Sequence, residues 1–249
     1  MNQALVTVIP TYNEIDNIRR LVPHLLEMDI AGWTMHVCVV DDDSPDGTGA
    51  WVGHLAETST NVHVIRRMGE RGLGTAYLAG LRYALEVGAD AVMTMDADFS
   101  HHPRYIPELL LRADAAEVII GSRYITGGRA LFPFHRRILS RCANAVAHSV
   151  LRIGARDATA GFRVYRHQAL RSIDLDAIRS NGYSFLLEIL FMIEETGARI
   201  VEVPIIFADR EMGQSKIAPR EILRAGLTCG RLLFRRLKAG VSRTSMGTP

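Results

Sequence analysis

Short apolar runs punctuate the first half of the chain, each about one strand long. Residues 5–10, 35–41, 62–66, 91–96 and 118–121 are rich in Val, Ile, Leu, Met and Ala. Near-continuous apolar runs of that length suit strands buried on both faces. Between them, apolar positions recur at helical spacing over 14–28, 47–57, 75–87 and 103–113. Strands alternating with helices predict an α/β domain, a mainly parallel sheet with helices on both faces. No repeat or low-complexity linker breaks this pattern, so one domain is expected over 1–218, followed by a C-terminal helix and tail over 219–249.

That last segment is amphipathic. At helical spacing Arg220, Arg224, Arg231, Arg235 and Lys238 share one face, while Ile222, Leu223, Leu227, Leu232, Leu233, Phe234 and Leu237 fill a broad arc elsewhere. Two readings fit: a helix lying on an anionic membrane surface, or one packed on the domain. In neither does it span a bilayer, because no apolar run reaches that length.

Composition narrows the class without naming it. The chain has 249 residues, 48% of them hydrophobic and 22% charged, ordinary for a folded domain. A net charge of +2 does not announce a nucleic-acid binder, and no nucleic-acid partner is expected. Cys38, Cys142 and Cys229 are sparse and odd in number, which fits free thiols in a reducing compartment. The N-terminus reads as a strand and not as a signal peptide. The expected location is cytoplasmic, peripheral at the inner face of a membrane.

In open α/β sheets ligands bind beyond the carboxyl ends of the strands. Three of these ends are chemically loaded: Pro10-Thr11-Tyr12-Asn13-Glu14, Asp41-Asp42-Asp43-Ser44-Pro45-Asp46-Gly47-Thr48, and Asp96-Ala97-Asp98. Asp96 and Asp98 lie two apart, so an extended backbone projects both to one side. Two close carboxylates repel unless a cation or a shared proton relieves them. Hard oxygen ligands suit Mg²⁺ or Mn²⁺, with substrate phosphates completing the shell. A lone Asp-x-Asp is more often a solvated turn; three loaded rims together favour the metal. His101 and His102 lack the further His or Cys residues of a zinc site, and His102-Pro103 reads as a helix start. Gly72-Leu73-Gly74 lacks the third glycine of the dinucleotide fingerprint, and no P-loop is present.

Residues 118–156 contain no acid and seven arginines, Arg123, Arg129, Arg136, Arg137, Arg141, Arg152 and Arg156, mixed with Leu131, Phe132, Phe134, Ile138 and Leu139. An anionic head with an apolar tail would suit that mixture. A basic solvated face, or an acidic protein partner, suits it equally well.

Taken in order, the motifs resemble those of dolichol-phosphate mannosyltransferases and bacterial polyprenol-phosphate mannose synthases, within glycosyltransferase family 2. To the rims above they add Gly72-Leu73-Gly74-Thr75-Ala76-Tyr77, Ser100-His101-His102-Pro103 after Asp98, Gly121-Ser122-Arg123-Tyr124, Gly161-Phe162-Arg163 and Ser215-Lys216, covering roughly residues 4–220. The resemblance implies a GT-A (Rossmann-like) fold, GDP-mannose as donor, a polyprenyl phosphate lipid as acceptor, and Mg²⁺ or Mn²⁺. By motif, Pro10, Tyr12, Glu14, Val40 and Asp42 would surround the nucleoside. Asp96, Ala97 and Asp98 would lie by the diphosphate, with Asp96, Asp98 and Ser100 at the metal. Arg123, Arg210 and Lys216 would neutralise phosphates, and Arg136, Arg137 and Ser140 would take the acceptor phosphate. The catalytic set implied is Asp96, Asp98 and Arg123. Asp157 is either an acceptor-site residue or part of a structural turn.

Three positions depart from the family pattern: Asp43 for a glycine, Phe134 for a tryptophan, and Ala160 for a small polar residue. The expected reaction is inverting, metal-dependent transfer of mannose to a polyprenyl phosphate at a membrane surface, with or without a membrane-anchoring partner subunit. The alternatives are another sugar, such as glucose from a UDP donor, or a catalytically silent nucleotide- or lipid-binding module.

Overall fold

The computed structural model describes residues 2–182, 184–208 and 226–237. Its frame alternates strand and helix as the apolar runs imply: β1 (Gln3–Thr11), α1 (Ile15–Leu26), β2 (Trp33–Asp41), α2 (Thr48–Thr58), β3 (Val62–Arg66), α3 (Leu73–Glu86) and β4 (Ala91–Thr94). After α4 (Ile106–Leu110) come β5 (Val118–Ser122), β6 (Arg129–Leu131), α5 (Phe134–Leu151) and β7 (Arg163–Arg166). The frame closes with α6 (His167–Arg171), α7 (Ser184–Glu194), β8 (Ile200–Pro204) and β9 (Ile206–Ala208).

Seven strands form one sheet in the order β3-β2-β1-β4-β7-β5-β8, with β6 and β9 paired separately. All neighbours in the large sheet are parallel except β7, which runs antiparallel between β4 and β5. The chain order reverses beside β1, where β2 lies on one side and β4 on the other. That switch point opens a crevice at the carboxyl ends of the strands.

Each face of the sheet is covered by its own apolar layer, one built around α3, α5 and α7, the other around α1 and α4. Helix α3 lies close on the sheet because Gly80 has no side chain; a Cβ there would collide with Val8 and crowd Val40. The expected strand 91–96 ends at Thr94. Met95 still donates to Val8 O at 3.2 Å, but the Asp96 amide turns away to His101. The expected helix 103–113 divides into a 3₁₀ turn, Pro103–Tyr105, and α4, with Pro107 in the first turn of α4.

Residues 226–237 are helical and pack on the domain. Cys229 and Leu232 enter the α7 layer, while Leu227, Phe234 and Leu237 face outward. Arg231 bonds Glu188 of α7 at 2.6 Å, and Arg236 bonds the Leu151 carbonyl at the end of α5. Over these residues one face of the helix packs on the domain and an apolar edge stays exposed. The 218/219 boundary, Arg220, Ile222, Leu223, Arg224 and Lys238 lie outside the described residues. Among the described residues no helix is long and apolar enough to cross a membrane. All three cysteines are free, and burial pushes the Cys38 thiol up to about 12.

Candidate active site

The loops after β1 and β2 are knitted together by short polar side chains. Asp41 is buried and accepts from Thr11 Oγ1 at 2.9 Å, Ser44 Oγ at 2.5 Å and Ser44 N at 3.0 Å. In return Ser44 Oγ takes the Asn13 amide, Thr48 Oγ1 the Glu14 amide, and Asp46 the Ile15 amide at the start of α1. Burial would raise the Asp46 pKa, but its hydrogen bonds from Thr48 and Ile15 win and lower it. The Ser-Pro-Asp-Gly-Thr stretch is thus a clamp, and Gly47 (φ 88°) makes its left-handed corner. Asp43 adopts φ 55°. This is the conformation that makes glycine the usual family choice, and a short Asp tolerates it.

Asp42 is held inside the rim. It accepts from Arg67 Nε at 2.7 Å and Gly72 N at 2.8 Å, tying β2 to the glycine turn before α3. Tyr12 and Pro10 are half-buried at the end of β1, with Arg71 stacked 4.3 Å over the Tyr12 ring. Glu14 accepts from Asn17 at 2.7 Å. The Val40 side chain sits wholly in the core beside α3, so only its backbone reaches the rim.

Beyond β4 the two carboxylates diverge in exposure. Asp98 is buried and accepts Ser100 N at 3.1 Å and Ser100 Oγ at 2.5 Å, around a left-handed turn at Phe99 (φ 59°). The Asp96 side chain keeps 29% of its surface exposed and takes the Tyr77 hydroxyl at 3.2 Å. His101 Nδ1 accepts the Asp96 amide at 2.9 Å, which places the ring proton on Nε2. The ring is buried and stacked on Phe162, and burial lowers its pKa despite Asp96 and Asp98 nearby. A neutral, fully packed imidazole positions the loop. His102 accepts the Arg104 amide and caps the Pro103–Tyr105 turn, as its sequence position implies.

The third wall is cationic. Arg123 donates to Asp157 through its amide (2.9 Å), Nε (2.7 Å) and Nη2 (2.6 Å), and through Nη2 to Thr159 (2.8 Å). Arg163 lies fully buried beyond this pair, donating to Ala158 O, Leu186 O and Tyr165 Oη. Asp157 is therefore the anchor of Arg123, and the Gly-Phe-Arg motif supplies an interior strut. On α5, Arg136 stacks over Phe132, Arg137 over Phe134, and Ser140 lies 3.5 Å from Thr159. Ala160 is buried in the core layer behind this wall. Arg210 and Lys216 lie outside the described residues.

Phe207 of β9 joins the two halves. It meets His101 edge-on at 5.3 Å and Phe132 at 5.7 Å, and Arg123 lies 5.4 Å above its ring. Asp96 also acts electrostatically on Arg123. The structure thus brings the carboxylate rim and the arginine wall into one crevice. Among the described residues no three His, Cys, Asp or Glu side chains group as metal ligands. Asp96 and Asp98 carry the hard oxygen donors that a divalent cation would take. Residues that sequence reasoning missed are Tyr77, Thr159, Phe207 and Asn144, whose amide donates to Ser140 O at 2.9 Å and Thr159 Oγ1 at 3.1 Å. Of these, Tyr77 alone sat in a quoted motif.

Comparison with known proteins identifies the family and the fold. The family model "Glycosyl transferase family 2" matches residues 7–174. The chain is 44% identical over 215 residues to the undecaprenyl-phosphate mannosyltransferase of Micrococcus luteus, covering 86% of this chain and 87% of that one. It is 42% identical over 226 residues to the polyprenol monophosphomannose synthase of Mycolicibacterium smegmatis, covering 90% and 84%. Glucosyl-3-phosphoglycerate synthase of Mycobacterium tuberculosis, crystallised with Mn²⁺, UDP and glucosyl-3-phosphoglycerate, superposes with a TM-score of 0.60 at 15% identity, covering 93% and 77%. That likeness establishes a GT-A-like fold.

Proposed function

Because this chain belongs to glycosyl transferase family 2 and is a glycosyltransferase, we propose that it moves mannose from GDP-mannose to a polyprenyl phosphate with inversion. The observation that carries this reading is the meeting of the Asp96/Asp98 rim with the Arg123 wall around His101 and Phe207. The two relatives, named for mannosyl transfer to undecaprenyl phosphate and for polyprenol monophosphomannose synthesis, support mannose as the sugar and a polyprenyl phosphate as the acceptor.

Pro10, Tyr12, Glu14, Asp42 and the Val40 backbone line the nucleoside end. Asp96, Ala97, Asp98 and Ser100 take the diphosphate end, where Asp96, Asp98 and Ser100 would hold a divalent cation. When bound, such an ion supplies Lewis-acid charge to the departing diphosphate. Arg123, held rigid by Asp157, faces the phosphates with Arg136, Arg137 and Ser140 on the acceptor side. A guanidinium fixed by a buried carboxylate needs no reorganisation as charge moves.

An oxygen of the acceptor phosphate attacks the anomeric carbon, forming the new C–O bond. The bond from that carbon to the GDP oxygen breaks, and the oxygen leaves with the electron pair. A single displacement inverts the centre. A phosphate monoester, with a second pKa of about 6, is already largely anionic. Orientation and charge neutralisation then carry more of the barrier than a general base would. His101 fits this economy, since its one lone pair is spent on the Asp96 amide.

At the membrane, the exposed Phe134 and Ile138 of α5 and the outer edge of residues 226–237 would face lipid. The decisive assay supplies GDP-mannose and polyprenyl phosphate with and without Mg²⁺ or Mn²⁺, with mass analysis of the lipid product. UDP-glucose serves as the competing donor. Mannosyl lipid formed only with cation supports the reading; a glucosyl product, or none, removes it.

A further inference from the structure

Tyr77 is the largest side chain of α3 to lie wholly inside the apolar layer, and its ring stacks on Phe185 at 5.7 Å and 11°. Phenylalanine would serve that packing equally well. The hydroxyl serves something else: it leaves the layer toward the crevice and donates to Asp96 Oδ1 at 3.2 Å.

Asp96 is thereby pinned in both backbone and side chain. Its amide donates to His101 Nδ1 at 2.9 Å, and its Oδ1 takes the Tyr77 proton. Among the described residues the Tyr77 hydroxyl is the only hydrogen-bond donor to this carboxylate. Oδ2 lies 3.8 Å from His101 Nδ1, but that nitrogen is spent on the amide and carries no proton. Oδ2 therefore keeps its lone pairs, on a side chain with 29% of its surface exposed. Gly161 leaves room for both supports. A Cβ there would stand 3.3 Å from His101 Cε1 and 3.6 Å from the Tyr77 hydroxyl oxygen. Asp98 takes bonds from Ser100 within its own turn, whereas Asp96 takes its bond from a helix 19 residues earlier in the chain.

We propose that Tyr77 is a positioning residue, whose hydroxyl fixes the Asp96 carboxylate with Oδ2 turned to the donor diphosphate and its cation. It acts through Asp96 and touches neither cation nor sugar. The proposal rests on the assignment of Asp96 to the diphosphate end. Hydrogen-bond partners behind a ligating carboxylate are typically worth about 10–100-fold in metal affinity, because they hold the ligand in its binding orientation.

Tyr77→Phe keeps the ring and its stack and removes only the hydroxyl. Mn²⁺ is titrated into the complex of the whole protein with GDP and followed by electron paramagnetic resonance, with GDP affinity measured separately without metal. Cation affinity should fall about tenfold. Metal-free GDP affinity should hold, and the melting temperature should stay within a few degrees. Tyr165→Phe is the matched control, because Tyr165 is fully buried in the same layer and its hydroxyl meets Arg163 at 3.2 Å. Its cation affinity should equal that of the wild type. If the wild type with GDP binds no Mn²⁺, the cation reading fails and takes this proposal with it. If wild type and Tyr77→Phe bind Mn²⁺ equally, the proposal alone fails. It fails too if both phenol variants lose affinity alike, or if Tyr77→Phe melts far below the wild type, since either result makes the hydroxyl a structural bond.

Discussion

Asp157 has no exposed surface and accepts three hydrogen bonds from Arg123, while Arg163 stands fully buried behind the pair. Asp157→Asn leaves two interior guanidiniums without a carboxylate, and breaking a buried pair of this kind costs about 3–5 kcal/mol. The sign of its pH dependence follows from its environment. Burial alone would raise the Asp157 pKa, but the charge and hydrogen bonds of Arg123 bring it below the ordinary value. Its contribution is therefore complete above an unfolded carboxylate pKa near about 3.9 and fades as pH falls through the lower folded value. Urea titrations should separate wild type from Asp157→Asn fully at neutral pH and draw them together only in strong acid. A gap that closes already at pH 6 would contradict this. Asp98 behaves differently, because its bonds from Ser100 N and Oγ stay within its own turn. Asp98→Ala should keep the melting temperature within a few degrees yet lower cation-dependent transfer by about 10²–10³-fold. Normal turnover under controlled metal would remove the ion from that position.

At the scale of elements, the C-terminal helix acts on the active-site side through one carboxylate. Glu188 of α7 takes the Ser180 amide at 2.8 Å, the Arg179 amide at 3.2 Å and Arg231 at 2.6 Å. The loop it holds rests against Gly74 of α3, and Phe185 stacks on Tyr77, whose hydroxyl reaches Asp96. Arg231→Ala should therefore cost about 1–2 kcal/mol, less than a fully buried pair because Arg231 is partly exposed. Hydrogen exchange should quicken at the Arg179 and Ser180 amides; unchanged exchange would mean that the loop holds without the helix. The elements that carry the donor side were legible because apolar runs alternate with helical periods up to residue 121. The later ones were not. Strand β7 is four residues long and framed by Arg163 and Arg166, so it never reads as an apolar run. Helix α7 is apolar on all sides around Glu188, so its periodicity carries no face. The Asp96–Ser100 cluster could be read from spacing, whereas the Asp157–Arg123 contact spans 34 residues and depends on how the sheet closes.

For the whole molecule, the question is which surface meets the lipid. Exposed apolar positions on α5 form two i, i+4 pairs, Phe134 with Ile138 and Val146 with Val150, the first beside the exposed Arg137 and Arg141. Arg236 joins the end of α5 to the C-terminal helix, whose Leu227, Phe234 and Leu237 are also exposed. Scattered surface leucines need no explanation, but apolar groups on two joined helices, bordered by arginine, match an interfacial surface. Phe134 is 68% and Ile138 47% exposed, so a charge at either position removes no core contact. Burying one such side chain in a bilayer contributes about 1.5–3 kcal/mol, so Phe134→Asp and Ile138→Asp should each weaken vesicle binding by about tenfold or more. Sedimentation with anionic vesicles reads this directly, while urea stability should not move. Salt should weaken the arginine share of binding and leave the apolar share, because a Debye length of about 8 Å at physiological ionic strength screens only the former. Unaltered sedimentation of both variants at low and high salt would place the lipid-facing surface elsewhere. The two variants must also be compared on acceptor dispersed in detergent, where transfer should stay near wild type. Loss there as well would mean that this pair holds the acceptor chain itself and not the bilayer around it.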